Sequence, residues 1–599
     1  MRRLSRALAF GAFMLLLAVP AMAQVDLAGE WAARSGFEDQ PHRVPGPDVG
    51  DYTGLPINDA ARLKARSWDA SILSQRERQA QPHPATYSMR GPGPNFRMNK
   101  LVDPRTFELL AYQITGLFGN ADRTIWLDGR PHPSEFAEHT WNGFSTGEWV
   151  NGALKVTTTH LKAGTIQRNG VPTSVRARMT EFFFRHGDQL TLATIVEDPV
   201  YLEEPFVRTS NFVWAPQQTQ ARPAPFEIVD EVAGHGTGWV PSLPLGTIPG
   251  DFARLHGLPF EATQGGKVTL YPEYMRRLRT LPLATPTTLA PLVAPAVPPL
   301  PTPQPGFEVL PVQGSIVVLA SHGPGGNVVV SATDEGVLVV NTAAASQTTE
   351  LAEALRKVSP RPVTSIIDTT ADLDHLGANE ALAKAGTDRG GNAPGNFGFR
   401  IESAPIIAHE NVLRRIGAPT GERPVLPFAA WPTSTYFTEK KTLFFGEDPI
   451  EILAAPAAHT DGDSLVFFRH SDVIAAGDVL TPDRYPMFDA SKGGTYQGVI
   501  DALNRIIDIA IPRFNQQGGT LIVPGHGRIC NESDVVEYRD MATIIRDRIR
   551  RMVDAGLTLE QVKAARPTLD YDGVYGATSG PWTTEMFIDA VYRDLSRRR

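Results

Sequence analysis

Four short segments of the chain carry the residue types that hold divalent metal ions. Residues 366–379 read IIDTTADLDHLGAN, and within them Asp372, Asp374 and His375 sit in a turn just ahead of the helix-forming EALAKAG. Further on, PAAHTDGDS supplies His459, IAAGDVL supplies Asp478 and VPGHGR supplies His526. Each lies beside an apolar run that reads as a strand, so several strand ends can converge on one point. Imidazole nitrogen and carboxylate oxygen are ligands for zinc, and carboxylate-rich sets also accommodate manganese or iron. When such a site keeps one position open for water, it lowers the pKa of that water towards about 7, which is the chemistry of metal-assisted hydrolysis.

The elements that must position these residues follow from the periodicity. Gly314 to Ala320 and Val328 to Ala332 read as apolar strands joined by a Gly-rich loop that begins at His322, and Gly336 to Val340 makes a third. Ser346 to Val358 has helical spacing, with Leu351, Leu355 and Val358 on one side, before Val363 to Ile367 returns to strand. Glu451 to Ala455 and Ser464 to Phe468 flank the His459 loop, Val473 to Ala476 leads into Asp478, and Thr520 to Val523 leads to His526. Tyr496 to Ile511 and Val535 to Val553 read as helices, and Thr558-Leu559-Glu560-Gln561 opens another with a capping box. A strand meander followed by strand, helix and strand predicts mixed α/β layers.

Taken in order, these residues resemble the metallo-β-lactamase fold superfamily over about Gly314 to Cys530. Its HxHxDH turn falls on Thr370-Ala371-Asp372-Leu373-Asp374-His375, its next histidine on His459, its bridging aspartate on Asp478 and its last histidine on His526. The resemblance implies an αββα sandwich with metals at the edge where the loops converge. It also implies a first metal held by both histidines of HxH and the later histidine. Here Thr370 and Asp372 stand in the two HxH positions, and only His459 of that set is intact. The set for the second metal, Asp374, His375 and His526, is complete, and Asp478 stands where a bridging carboxylate belongs. One zinc ion is therefore expected, with manganese or iron as alternatives and Asp372 as a further oxygen ligand. Asp374 is expected to orient the attacking water.

The N-terminal half is different in kind. From Asp26 to about Tyr274 it is rich in Pro, Gly and aromatics, and Met179 to Phe184 and Gln189 to Val196 flank a Gly187-Asp188 reversal that predicts a hairpin. Repeated short strands without long helical patterns predict a β-sandwich or barrel. Trp126, Asp128, Arg130, His132, His139, Trp141 and Trp149 cluster in two stretches, and either loop packing or a ligand surface accounts for them. The proline-rich run from Leu281 to Pro305 cannot sustain a helix or a central strand. The domain reading is thus a leader at 1–23, a β-rich domain at 24–280, a linker at 281–306, the metallo-β-lactamase-like domain at 307–534 and a helical extension at 535–599.

Composition narrows the function classes. With 42% hydrophobic and 20% charged residues, the 599-residue chain can bury more than one core. A net charge of −8 with no dense basic tract gives no footprint for nucleic acid. The first 23 residues join an Arg-rich start, a short apolar run and Ala21-Met22-Ala23 before Gln24, the pattern of a cleavable secretory leader. Export, to the periplasm in a Gram-negative source, is the expectation, with a retained anchor as the weaker alternative and no stable membrane insertion after cleavage. The lone Cys530 permits no intramolecular disulfide, and nothing in the sequence sets an oligomeric state. The leading expectation is an exported metallo-hydrolase acting on a small ester, lactone, thioester or β-lactam. An iron-dependent redox enzyme on the same fold and a metal-depleted binding or scaffold protein are the alternatives. Among the remaining polar residues, His322 is a possible substrate contact, Asp461 and Asp463 suit the turn beside His459, and Tyr485 and Asp489 suit either cleft or core. His409 and His470 suit ordinary packing.

Overall fold

The computed structural model describes residues 25–34, 48–74, 81–90, 95–116, 123–217, 238–248, 251–284, 286, 288–295, 305–388, 403–418, 422–512 and 518–597. The leader at 1–23 and the linker residues 296–304 lie outside the described residues.

Between Gly29 and Trp214, nine strands close into a barrel. Alternating residues of Arg178–His186 and Gln189–Glu197 face inwards, as their burial alternates along each strand. The two pair antiparallel through the reversal at Gly187, whose φ of 61° suits a residue without Cβ. The strand Gly29–Ala33 closes the barrel by pairing with both Phe206–Trp214 and Phe96–Val102. Trp31, Phe96, Tyr112, Phe183 and Phe212 fill the interior. One helix that the sequence reading passed over, Asp59–Ser67, packs outside the barrel and is N-capped by the Asn58 side chain. Its nine residues are too few to stand out as a periodic pattern.

The C-terminal half forms the expected αββα sandwich. Its first sheet has seven strands, in order Phe307–Pro311, Ile316–Ser321, Val328–Thr333, Gly336–Val340, Val363–Ile367, Ile406–His409 and Ser434–Tyr436. The second has six, in order Lys440–Phe445, Asp448–Ala454, Ser464–Phe468, Val473–Gly477, Leu521–Pro524 and Cys530–Asn531. Val318, Leu338, Val340 and Ile367 from one sheet meet Ile450, Ile452, Val466 and Phe468 from the other. The outer faces are covered by helices: Thr348–Val358 and Asn379–Ala385 on the first sheet, Tyr496–Ile509, Glu532–Asp554 and Thr584–Arg597 on the second. Burial on both faces explains why these strands read as continuous apolar runs rather than alternating ones.

Barrel and sandwich are joined by buried polar contacts. The Lys162 ammonium reaches Asp534 Oδ2 at 2.6 Å and Asn531 Oδ1 at 2.9 Å, at the start of Glu532–Asp554. Phe136 packs edge-on against His322 and accepts the Ile529 amide proton at 2.9 Å. Among the described residues no helix is long and apolar enough to cross a membrane.

Candidate metal centre

All six predicted ligands come together at one edge of the sandwich. The strand Val363–Ile367 delivers the turn that carries Asp372, Asp374 and His375, and Asp372 begins the short helix Leu373–Leu376. That turn is pinned from beneath, because Asn341 Oδ1 accepts from both the Thr369 amide and the Thr369 hydroxyl. Asp478 follows Val473–Gly477, and His526 follows Leu521–Pro524. These parallel neighbours place their C-terminal ends side by side, and Gly525 N donates to the Gly477 carbonyl at 2.7 Å.

The donor atoms fall into two sets. Those of Asp374, His375 and His526 lie within 4.8 Å of one another, and so do those of Asp372, His459 and Asp478. In the first set His526 Nε2 is 3.1 Å from Asp374 Oδ2, and His375 Nε2 is 3.0 Å from Asp478 Oδ1. Asp478 Oδ1 also lies 3.8 Å from His526 Nε2, so this carboxylate touches both sets. Two glycines make the room: a Cβ on Gly326 would fall 2.0 Å from His375 Cε1, and one on Gly525 would fall 2.4 Å from Asp478 Oδ1.

Electrostatics follow from burial and pairing. Burial alone would lower the His375 imidazole, but the adjacent Asp478 carboxylate, with Asp374 and Asp372, takes it up to about 9. For His459 the same competition, won by Asp372 and Asp478, gives about 10. Burial would raise Asp478, but His375 holds it well below the usual carboxylate range. Asp463, buried and bonded to the Thr460 amide and hydroxyl, is pushed up to about 6 by burial.

The donor set Asp374, His375 and His526 fits a divalent ion: two imidazoles and a carboxylate converge, and Asp478 stands beside them. Among the described residues the wholly buried His375 has no partner for its Nδ1, and its other nitrogen faces the site. The second set is differently engaged. Asp372 Oδ2 lies 2.7 Å from His459 Nε2 and accepts from the Thr370 hydroxyl at 3.0 Å, while Asp372 Oδ1 accepts from the Lys492 ammonium at 2.5 Å. His459 Nδ1 lies 2.9 Å from the Met487 carbonyl, which orients the ring.

Lys492 is the site residue that sequence reasoning missed. A carboxylate in place of a histidine in a half-buried turn calls for a cation, and Lys492 is the only lysine between His459 and His526. The other singled-out residues fall elsewhere. Asp489 caps the Lys492 turn, and Asp461 pairs with Arg415. Tyr485 is buried against the C-terminal helices, donating to Asp572 Oδ1 at 2.8 Å and stacking on Phe587. His409 caps the helix Glu410–Ile416, and His322 lies 3.7 Å from Glu308 at the junction with the barrel. In the barrel, Arg130 stacks on Trp126 and pairs with Asp128, and His132 bridges Thr146 and Thr159.

Residues 323–526 match the family model of the metallo-beta-lactamase superfamily. No curated protein matches the chain. Among solved structures, the stereoselective inverting sec-alkylsulfatase Pisa1 from Pseudomonas sp. is 13% identical with a TM-score of 0.34, over 48% of this chain and 50% of that one. This chain thus spans half the length of the sulfatase. The metallo-beta-lactamase from Pontibacter korlensis is 17% identical with a TM-score of 0.30, over 39% of this chain and 98% of that one. DIM-1 metallo-beta-lactamase is 16% identical with a TM-score of 0.30, over 40% and 97%.

Proposed function

We propose that this chain, whose C-terminal domain has the metallo-β-lactamase fold, is an exported metal-dependent hydrolase of a small ester, lactone, thioester or β-lactam. The observation that carries the reading is the convergence of Asp374, His375 and His526, with Asp478 beside them, at the end of adjacent strands. Zinc is the ion best matched to two imidazoles and a carboxylate. Once bound, it would supply Lewis acidity and lower the pKa of water towards about 7.

The chain's own residues then divide the work. Asp374, the most exposed of the three carboxylates at 36%, orients the attacking water and takes up its proton. Asp478, at 5% exposure and with Oδ1 3.0 Å from His375 Nε2 and 3.8 Å from His526 Nε2, is placed to share the ion with both imidazoles. The leader-like first 23 residues support export.

Zinc-loaded and chelator-stripped full-length protein, assayed against a panel of the four substrate classes, tests the proposal. Hydrolysis of one class that disappears on stripping and returns with zinc is the expected result. Equal rates in loaded and stripped protein, or no hydrolysis of any class, would refute it.

A further inference from the structure

The proposed metal position uses Asp374, His375 and His526, and leaves Asp372, which also contacts His459, paired with a cation that the chain itself provides. We infer that the Lys492 ammonium takes the charge position of a first metal ion, so that the centre accepts one divalent ion rather than two. This rests on the hydrolase reading only in that a metal is expected at the other set.

Three observations support it. First, Asp372 has both oxygens engaged: one by Lys492 Nζ, the other by His459 Nε2 and the Thr370 hydroxyl. An ion placed among Asp372, His459 and Asp478 would share the Asp372 carboxylate with an ammonium, which among the described residues no donor of the other set does. Like charges that close, in a site largely removed from water, repel strongly.

Second, the ammonium is fixed in place. Lys492 Nζ is also 3.4 Å from Asp489 Oδ2. Its backbone lies in a turn capped by the Asp489 side chain, which accepts from the Ser491 and Lys492 amides, and closed by Gly493 at φ 81°. The Lys492 carbonyl accepts from the Asp461 amide at 2.9 Å, and the Asp489 amide donates to the His459 carbonyl at 2.8 Å. A Cβ on Gly494 would meet the His459 carbonyl oxygen at 2.1 Å, so the Lys492 turn and the His459 loop are packed backbone to backbone.

Third, the residue types suit an ammonium. Thr370 and Asp372 give a hydroxyl and a carboxylate, which are good acceptors for N–H donors, where two imidazoles would have held zinc. The change of ligands and the arrival of a cation belong together chemically.

Full-length wild type, Lys492→Met and Lys492→Arg, each stripped, saturated with zinc, freed of loosely held ions and counted by mass spectrometry, test the inference. Thermal unfolding of each checks that it folds. Lys492→Met should hold one zinc ion per chain more than wild type, and Lys492→Arg should hold the same number as wild type. Equal counts in wild type and Lys492→Met overturn the inference, and so does an extra ion in Lys492→Arg. Two ions in wild type also overturn it, a result that needs no variant. A wild type without zinc overturns the hydrolase reading instead, while the gain or lack of gain in Lys492→Met still decides this one.

Discussion

Replacing Lys162 with methionine removes the ammonium that the barrel buries against the segment following His526. The lysine side chain is 3% exposed and its partner Asp534 7%. Asp534 is also the N3 residue of the capping box that starts Glu532–Asp554, and it holds Arg528, two residues after His526, at 2.8 Å. Deleting one partner of a buried pair costs about 3–5 kcal/mol, because the other charge stays buried. Arg528 continues to compensate Asp534, which places the expected loss near the lower end, at about 3 kcal/mol. Methionine keeps most of the side-chain volume, so the loss reports charge rather than a cavity. Urea unfolding should show a C-terminal transition destabilised by about that amount, and zinc affinity should fall as the His526 loop loosens. Adding Asp534→Asn to Lys162→Met should be less than additive, with a coupling of about 0.5–3 kcal/mol. A loss below about 0.5 kcal/mol, the scatter of ordinary surface substitutions, would refute the view that the barrel braces the metal centre.

Four further outcomes follow from the site. His375→Ala or His526→Ala should abolish zinc binding in a zinc titration, whereas Thr370→Ala should leave the count unchanged at a stability cost of about 1 kcal/mol for one hydrogen bond; a large loss of zinc in Thr370→Ala would contradict the ligand assignment. Gly326→Ala should also lose zinc, since its Cβ would fall 2.0 Å from His375 Cε1 on a ring with no exposed surface to move into; unchanged affinity would show that the ring is not a ligand. With His375 raised to about 9, the ring carries a proton at pH 7, so zinc uptake should release about one proton per ion and tighten as pH rises towards 9. Calorimetry in buffers of different ionisation enthalpy reads that count, and uptake independent of pH between about 6 and 8 would be inconsistent with it. The same raised value stabilises the metal-free protein fully below 6.5, the ordinary imidazole value, and that stability should be lost as pH climbs through about 9; pH-dependent unfolding of stripped protein shows the slope.

The sandwich was legible because its signals are local. Buried strands such as Gly336–Val340 and Val363–Ile367 read as short apolar runs, the helix Tyr496–Ile509 reads as a 3.6-residue period, and each ligand lies in the segment that follows a strand. The capping box at Thr558 was equally plain. The site was legible as a set of residue types but not as a set of pairings. Asp478 stands between two histidines, at 3.0 Å from His375 and 3.8 Å from His526, and no sequence spacing encodes such distances. Lys492 lies 120 residues from Asp372, so the contact exists only because the Asp489 turn packs on the His459 loop. The helix Asp59–Ser67 and the barrel's closure by Gly29–Ala33 depend on distant partners in the same way.

The central claim is one divalent ion held by Asp374, His375 and His526. Zinc counted per chain in full-length protein, beside His526→Ala purified in the same way, tests it most directly. One ion in wild type and none in His526→Ala is the predicted result; no ion in wild type, or an ion retained in His526→Ala, would contradict it.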